Sequence, residues 1–98
     1  MNERAKNNLE LTKRKLDYAE KFFAEKDFYE TIHYIWVVFE NCINIIKDVK
    51  NNRPLYEHKP KIDLFGIYCS IGILKNDYSS CFLELEKLRI RAVSANIL

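Results

Sequence analysis

Glycine and proline are scarce, with two of each in 98 residues, too few for a loop-rich or all-β chain. Charge of one sign is scarce as well. The net charge is +2 with both signs mixed throughout, so the basic excess of a strong nucleic-acid binder is missing and only weak or local RNA contact is left open. Cysteine is sparse and odd in number. Cys42, Cys69 and Cys81 form no C-x-x-C, and the two histidines do not stand at metal-ligand spacing from them. The expectation is three buried, reduced thiols in a reducing compartment, with no metal. The polar start, MNERAKNNLELTKRK, lacks the character of a signal peptide. The longest apolar run, Ile35 to Phe39, is far too short to span a bilayer. A glycine-rich phosphate loop, a G-x-S-x-G motif and a Cys–His dyad are all missing, so no cofactor is expected. A cytoplasmic, non-membrane protein is the expectation.

What is present is helical periodicity in a chain that is 48% hydrophobic and 31% charged, the balance of one globular domain over residues 1–98. Ala5, Leu9, Thr12, Leu16, Ala19 and Phe23 alternate spacings of three and four, which draws one stripe on a first helix. Asp27 with Glu30 has the form of a capping box opening a second helix. There Phe28, Ile32, Ile35, Phe39, Cys42, Ile46 and Val49 form a stripe, widened by Tyr34, Trp36, Val37, Val38, Ile43 and Ile45. A helix this apolar is central in its bundle or shared with a second subunit. Asn51 and Asn52 suit a helix end, Pro54 cannot continue it, and Pro60 can open the next. A third helix is expected from Lys61 to Ile71, with Ile62, Phe65, Tyr68 and Cys69 inward, Gly66 at a close packing point and Gly72 at its end. Asn76 or Asp77 caps a last helix whose stripe is Tyr78, Cys81, Phe82, Leu85, Leu88, Ala92 and Ala95. The fold class is all-α: an up-down bundle of four helices, or five.

Three stretches, in this order, carry a resemblance: FFAEKDFYETIHYIW, FENCINIIK and YEHKPKIDLFGIYCSIGILKNDYSSCFLELEKLR. Together, from about Leu9 to Arg91, they resemble the HEPN domain family. The likeness lies in the junction of its first two helices, the acidic and apolar second half of helix two, and its His-Lys, Phe, Gly-Ile-Leu and terminal Leu-Arg pattern. The resemblance implies a dimeric helical bundle, often the partner of a minimal nucleotidyltransferase in a toxin–antitoxin pair. It also implies, for many members, metal-independent RNA cleavage by an arginine followed, after four to six residues, by a histidine.

This chain departs from that motif. Arg89 stands at the arginine position with Arg91 beside it, but Ser94, Ala95 and Asn96 follow where the histidine belongs. An arginine can bind phosphate with two parallel hydrogen bonds, yet it is too basic to exchange protons at neutral pH. The stretch RPLYEH offers Arg53 and His58 at a nominally suitable spacing, but in a proline-bounded loop. Pro54 restricts Arg53 away from helical geometry, so the match reads as coincidence and His58 as a loop histidine.

The remaining catalytic candidate is His33, on a polar line of helix two with Glu40. Glu40 and Asn41 are candidate ligand-binding residues together with Arg89 and Arg91. As a buried carboxylate needs a partner, Glu40 is expected to pair with one of those arginines. Tyr29, Tyr34, Trp36 and Phe39 have the chemistry to stack bases, but at helical spacing they read first as core or dimer packing. Lys13-Arg14-Lys15 and the Lys59, Lys61 pair read as solvated. Trp36, Phe39 and Ile43 are the expected homodimer interface. The functional expectation is a dimeric HEPN-like binding or regulatory module, partner of a nucleotidyltransferase, with a degenerate site and weak RNA or nucleotide binding. An active RNA endonuclease toxin and a plain helical adaptor are the alternatives.

Overall fold

A computed structural model describes residues 2–51 and 58–97, with side chains up to residue 92 in the last helix. It is all-helical, with α1 (Glu3–Ala24), α2 (Phe28–Val49), α3 (Lys61–Ser70) and α4 (Ser79–Ile97) packed as a bundle and no strand among the described residues. Asn52, Arg53 and Pro54 lie outside the described residues, as do the side chains of Ser94, Ala95 and Asn96.

Helix ends follow their local chemistry. Asn2 caps α1 by accepting the Ala5 N–H at 2.8 Å, and Asp27 caps α2 by accepting that of Glu30 at 3.2 Å. Between them the chain turns at Lys26, which adopts φ 61°. The Asp27 N–H reaches Phe22 O at 2.9 Å and the Lys26 N–H reaches Phe23 O at 3.0 Å, the paired bonds of a Schellman end. Asn51, at φ 52°, follows the end of α2, and Pro60 precedes α3. Gly72, at φ 83°, closes α3 in the same manner as Lys26, with Ile73 N bonded to Tyr68 O at 2.8 Å. Asp77 accepts the Ser79 N–H at 2.9 Å and the Ser79 hydroxyl. The hydroxyl first, then the N–H, hold its carboxyl below the ordinary value of 3.8. Its support for the start of α4 is therefore present at neutral pH and lost as pH falls through that lowered value.

α2 is the central helix, in contact with α1 on one side and with α3 and α4 on the other. Ile43, Leu64, Phe65, Tyr68 and Phe82 form the core on the α3–α4 side. The α1–α2 seam is of another kind, because the buried residues of α1 are Ala5, Thr12 and Ala19, small side chains seven apart that let the helices approach closely. Leu16 and Phe23, expected inward, are 46% and 64% exposed, since α1 has its extensive contact with α2 alone. The molecule is accordingly elongated, 41 × 25 × 23 Å, with a radius of gyration of 14.4 Å against about 13 Å for a compact chain of this length.

Several expectations are corrected. Cys42 and Cys81 are exposed and Cys69 is half-buried, so the thiols are free but not buried. Phe28 and Val49 are exposed, and the deepest positions of α2 are Thr31, Ile43, Lys47 and Asp48, because neighbours on two sides spread burial around the helix. Tyr78 and Leu88 on the last stripe are also exposed. A Cβ on Gly66 would meet Asp77 Oδ2 and Ser79 Oγ at 3.5 Å, an ordinary contact, so close packing does not require that glycine.

Candidate functional site

Tyr29 and His33 are four apart on α2, and Arg89 and Ala92 are three apart on α4, so each pair shares a helix face. Where these faces meet, the four residues line a pocket of about 110 Å³. The arginine placed by the motif and the histidine placed by a polar line therefore share one cavity. It has room for a phosphoryl group between Arg89 and His33.

Among the described residues Arg89 is held by packing and not by a carboxylate. Its guanidinium carbon lies 4.1 Å from the centre of the Trp36 ring, a cation–π contact. Trp36 stacks in turn on Phe82, with ring centres 6.2 Å apart and planes at 19°, and Phe82 meets Phe65 at 5.2 Å. The guanidinium thus rests on an aromatic stack continuous with the core. The Trp36 indole N–H is buried with no hydrogen-bond partner among the described residues, so the ring is placed by stacking and core packing. Planar stacking suits guanidinium better than ammonium and leaves the in-plane N–H groups free to fork onto an oxyanion. The expected ion pair of Glu40 with Arg89 or Arg91 does not form among the described residues.

The other candidates are dispersed. Arg91 is exposed and does not line the pocket; Glu40 and Asn41 are half-buried on α2, also outside it. His58 is exposed in the turn before Pro60, away from any helix, as the loop reading anticipated. Ile43 is fully buried within its own chain and is a core residue, which corrects its placement in a dimer interface. Trp36 and Phe39 are half-buried against that core. Sequence reasoning missed Ala92 as a lining residue and the hold of Trp36 on Arg89. Tyr29 was read from the sequence only as a stacking or packing aromatic, and its place beside His33 in the pocket was not.

Two further features lie apart from this site. On the far side of α2 an apolar pocket of about 250 Å³ lies among Val38, Phe39, Cys42, Ile46, Phe65, Leu74 and Tyr78. Although Cys42 as a whole is exposed, desolvation of its thiol by this apolar lining pushes it up, making it a poor nucleophile at neutral pH. At the open end of the hairpin, the Asp48 carboxylate is 3% exposed. It accepts from Asn8 Nδ2 at 3.1 Å and lies 3.6 Å from Arg4 Nε. Among the described residues no group of three His, Cys, Asp or Glu side chains is arranged to hold a metal, and no helix is long and apolar enough to cross a membrane.

Fold and site together define a small helical bundle with an arginine–histidine pocket beside an aromatic stack. Comparison with protein-family models, with curated proteins and with solved structures gave no match.

Proposed function

We propose that this chain is a cytoplasmic, dimeric HEPN-like binding and regulatory module, the partner of a minimal nucleotidyltransferase in a toxin–antitoxin arrangement, and that its pocket binds the phosphate of RNA or a nucleotide weakly. The observation that carries the ligand half is Arg89, stacked on Trp36 and lining a pocket with room for a phosphate, without a carboxylate partner among the described residues. The dimer half is supported by apolar surface on the opposite side of α2, around Val38, Cys42 and Tyr78 and around Leu16, Phe23 and Ile35. Sedimentation at micromolar concentration is expected to give a dimer, and a stable monomer there sinks that half of the reading.

One observation favours the second reading, a metal-independent RNA endonuclease. His33 lines the same pocket as Arg89 and would supply the proton transfer that the missing helix-four histidine cannot. The deciding experiment is a metal-free incubation with labelled single-stranded RNA, comparing the native chain with Arg89→Ala and His33→Ala. The module reading expects binding that weakens with added salt, lost in Arg89→Ala, with cleavage near background in all three. Robust native cleavage that falls about a hundredfold or more in His33→Ala establishes the endonuclease instead. No binding and no cleavage leave a helical adaptor.

A further inference from the structure

The pocket has room for a phosphate between Arg89 and His33, and the rest of a polynucleotide bound there would have to continue over the neighbouring surface. His33, one of the residues lining the pocket, is the first of a chain of rings that reaches α1. The His33 ring meets Tyr34 edge-on at 5.2 Å. Tyr34 meets Tyr18 of α1 at 5.4 Å and lies parallel to Phe22, planes at 1°, at 5.6 Å. Cations interleave with these rings. Lys15 Nζ lies 5.4 Å from the centre of Tyr34 and 5.7 Å from that of Tyr18, and Lys21 Nζ lies 5.6 Å from that of Phe22. None of Lys15, Lys21 and Arg89 joins an ion pair among the described residues, so their charge is open to an anionic ligand.

Phe22 and Tyr34 are half-buried and help to pack α1 on α2, whereas Tyr18 is 43% exposed and offers ring surface to solvent. An exposed ring beside unneutralised ammonium groups, leading from a pocket with room for a phosphate, has the composition of a single-strand platform: bases stack on rings and phosphates meet cations.

We propose that single-stranded RNA follows this strip, with one phosphate in the Arg89–His33 pocket, a neighbouring base on Tyr18, and the intervening backbone beside Lys15. This rests on the phosphate-binding reading above and adds to it the surface and a base-stacking residue on α1.

The test uses two probes in metal-free buffer, a labelled oligouridylate long enough to cover the strip and uridine monophosphate as competitor for the pocket alone. Tyr18→Leu is expected to weaken oligouridylate binding about five- to tenfold, the low end of base–aromatic stacking for a partly exposed ring. Monophosphate affinity should stay native, and Tyr18→Phe, which keeps the ring, should match the native chain on both probes. Lys15→Gln is expected to reduce the slope of log affinity against log salt by about 0.7, one single-strand phosphate contact. Circular dichroism confirms that each variant folds. Native oligouridylate affinity in Tyr18→Leu, with binding lost in Arg89→Ala, overturns the track while the pocket stands. Failure of the native chain to bind either probe removes the pocket reading, and the track with it.

Discussion

Phe82→Ala is expected to lower the free energy of unfolding by about 3–5 kcal/mol, measured by urea titration. Phe82 is 2% exposed and lies between Trp36 and Phe65, joining α4 to α2 and α3 at once. Truncation removes a ring's worth of buried surface and leaves a cavity whose walls are large aromatic rings with little freedom to collapse inward. The loss is large for a chain of 98 residues, whose total stability lies near the lower end of the usual 5–15 kcal/mol range. The cavity opens under the ring on which Arg89 rests, so under conditions where the variant is still folded its RNA affinity should fall as well. Phe82→Leu, which refills most of the volume, should recover much of both. A loss below about 1 kcal/mol for Phe82→Ala would mean that α4 is not packed on this stack.

Asp48→Ala is expected to cost about 2–3 kcal/mol, and to do so unevenly. The carboxylate sits at the N-terminal end of α1, where its charge is favourable to that helix dipole, although it belongs to the last turn of α2, where it is not. Removing it strips Asn8 Nδ2 and Arg4 of an acceptor. Since Arg4 is 64% exposed, most of the cost comes from the hydrogen bonds and the buried position, not from the ion pair. The backbone carbonyl of Asp48, which accepts from Asn2 Nδ2 at 2.8 Å, survives the substitution. Amide exchange should quicken in the first turns of α1 and much less in α3 and α4. Uniform acceleration throughout the bundle would show that the contact is global and not a clasp on one helix.

Helix boundaries were legible because each is written in a few adjacent residues: Asp27 with Glu30, Pro60, Gly72, and Asp77 before Ser79. Burial was less so. A stripe on α1 says which face turns inward but not how many neighbours will cover it, and Leu16 and Phe23 lie on the right helix with only α2 beside them. Lys47 and Asp48 were invisible as buried residues because their polar partners lie some forty or more positions away, at the start of α1, or are fixed only once the fold closes. For the site, Arg89 was placed by the resemblance and His33 by its interruption of an apolar helix, but nothing local joins two residues 56 positions apart. Trp36 was read as interface because its apolar surface is plain in sequence, while its service as a shelf for a guanidinium depends on the partner helix. Lys15 was read as solvated, and its place over two tyrosines depends likewise on α2.

The seam of small residues at Ala5, Thr12 and Ala19 gives α1 a separate place in the energy landscape. Close backbone approach provides many weak dispersion contacts with α2, while no residue of the central aromatic core lies on α1. α1 is thus the part of the bundle suited to part from the rest as a cooperative unit while the aromatic core stays intact. Such an opening would carry Tyr18 and Lys15 away and leave Trp36, His33 and Arg89 in register. Any ligand that touches both α1 and the pocket would draw on this equilibrium, binding more tightly wherever α1 is already docked and docking α1 wherever it binds.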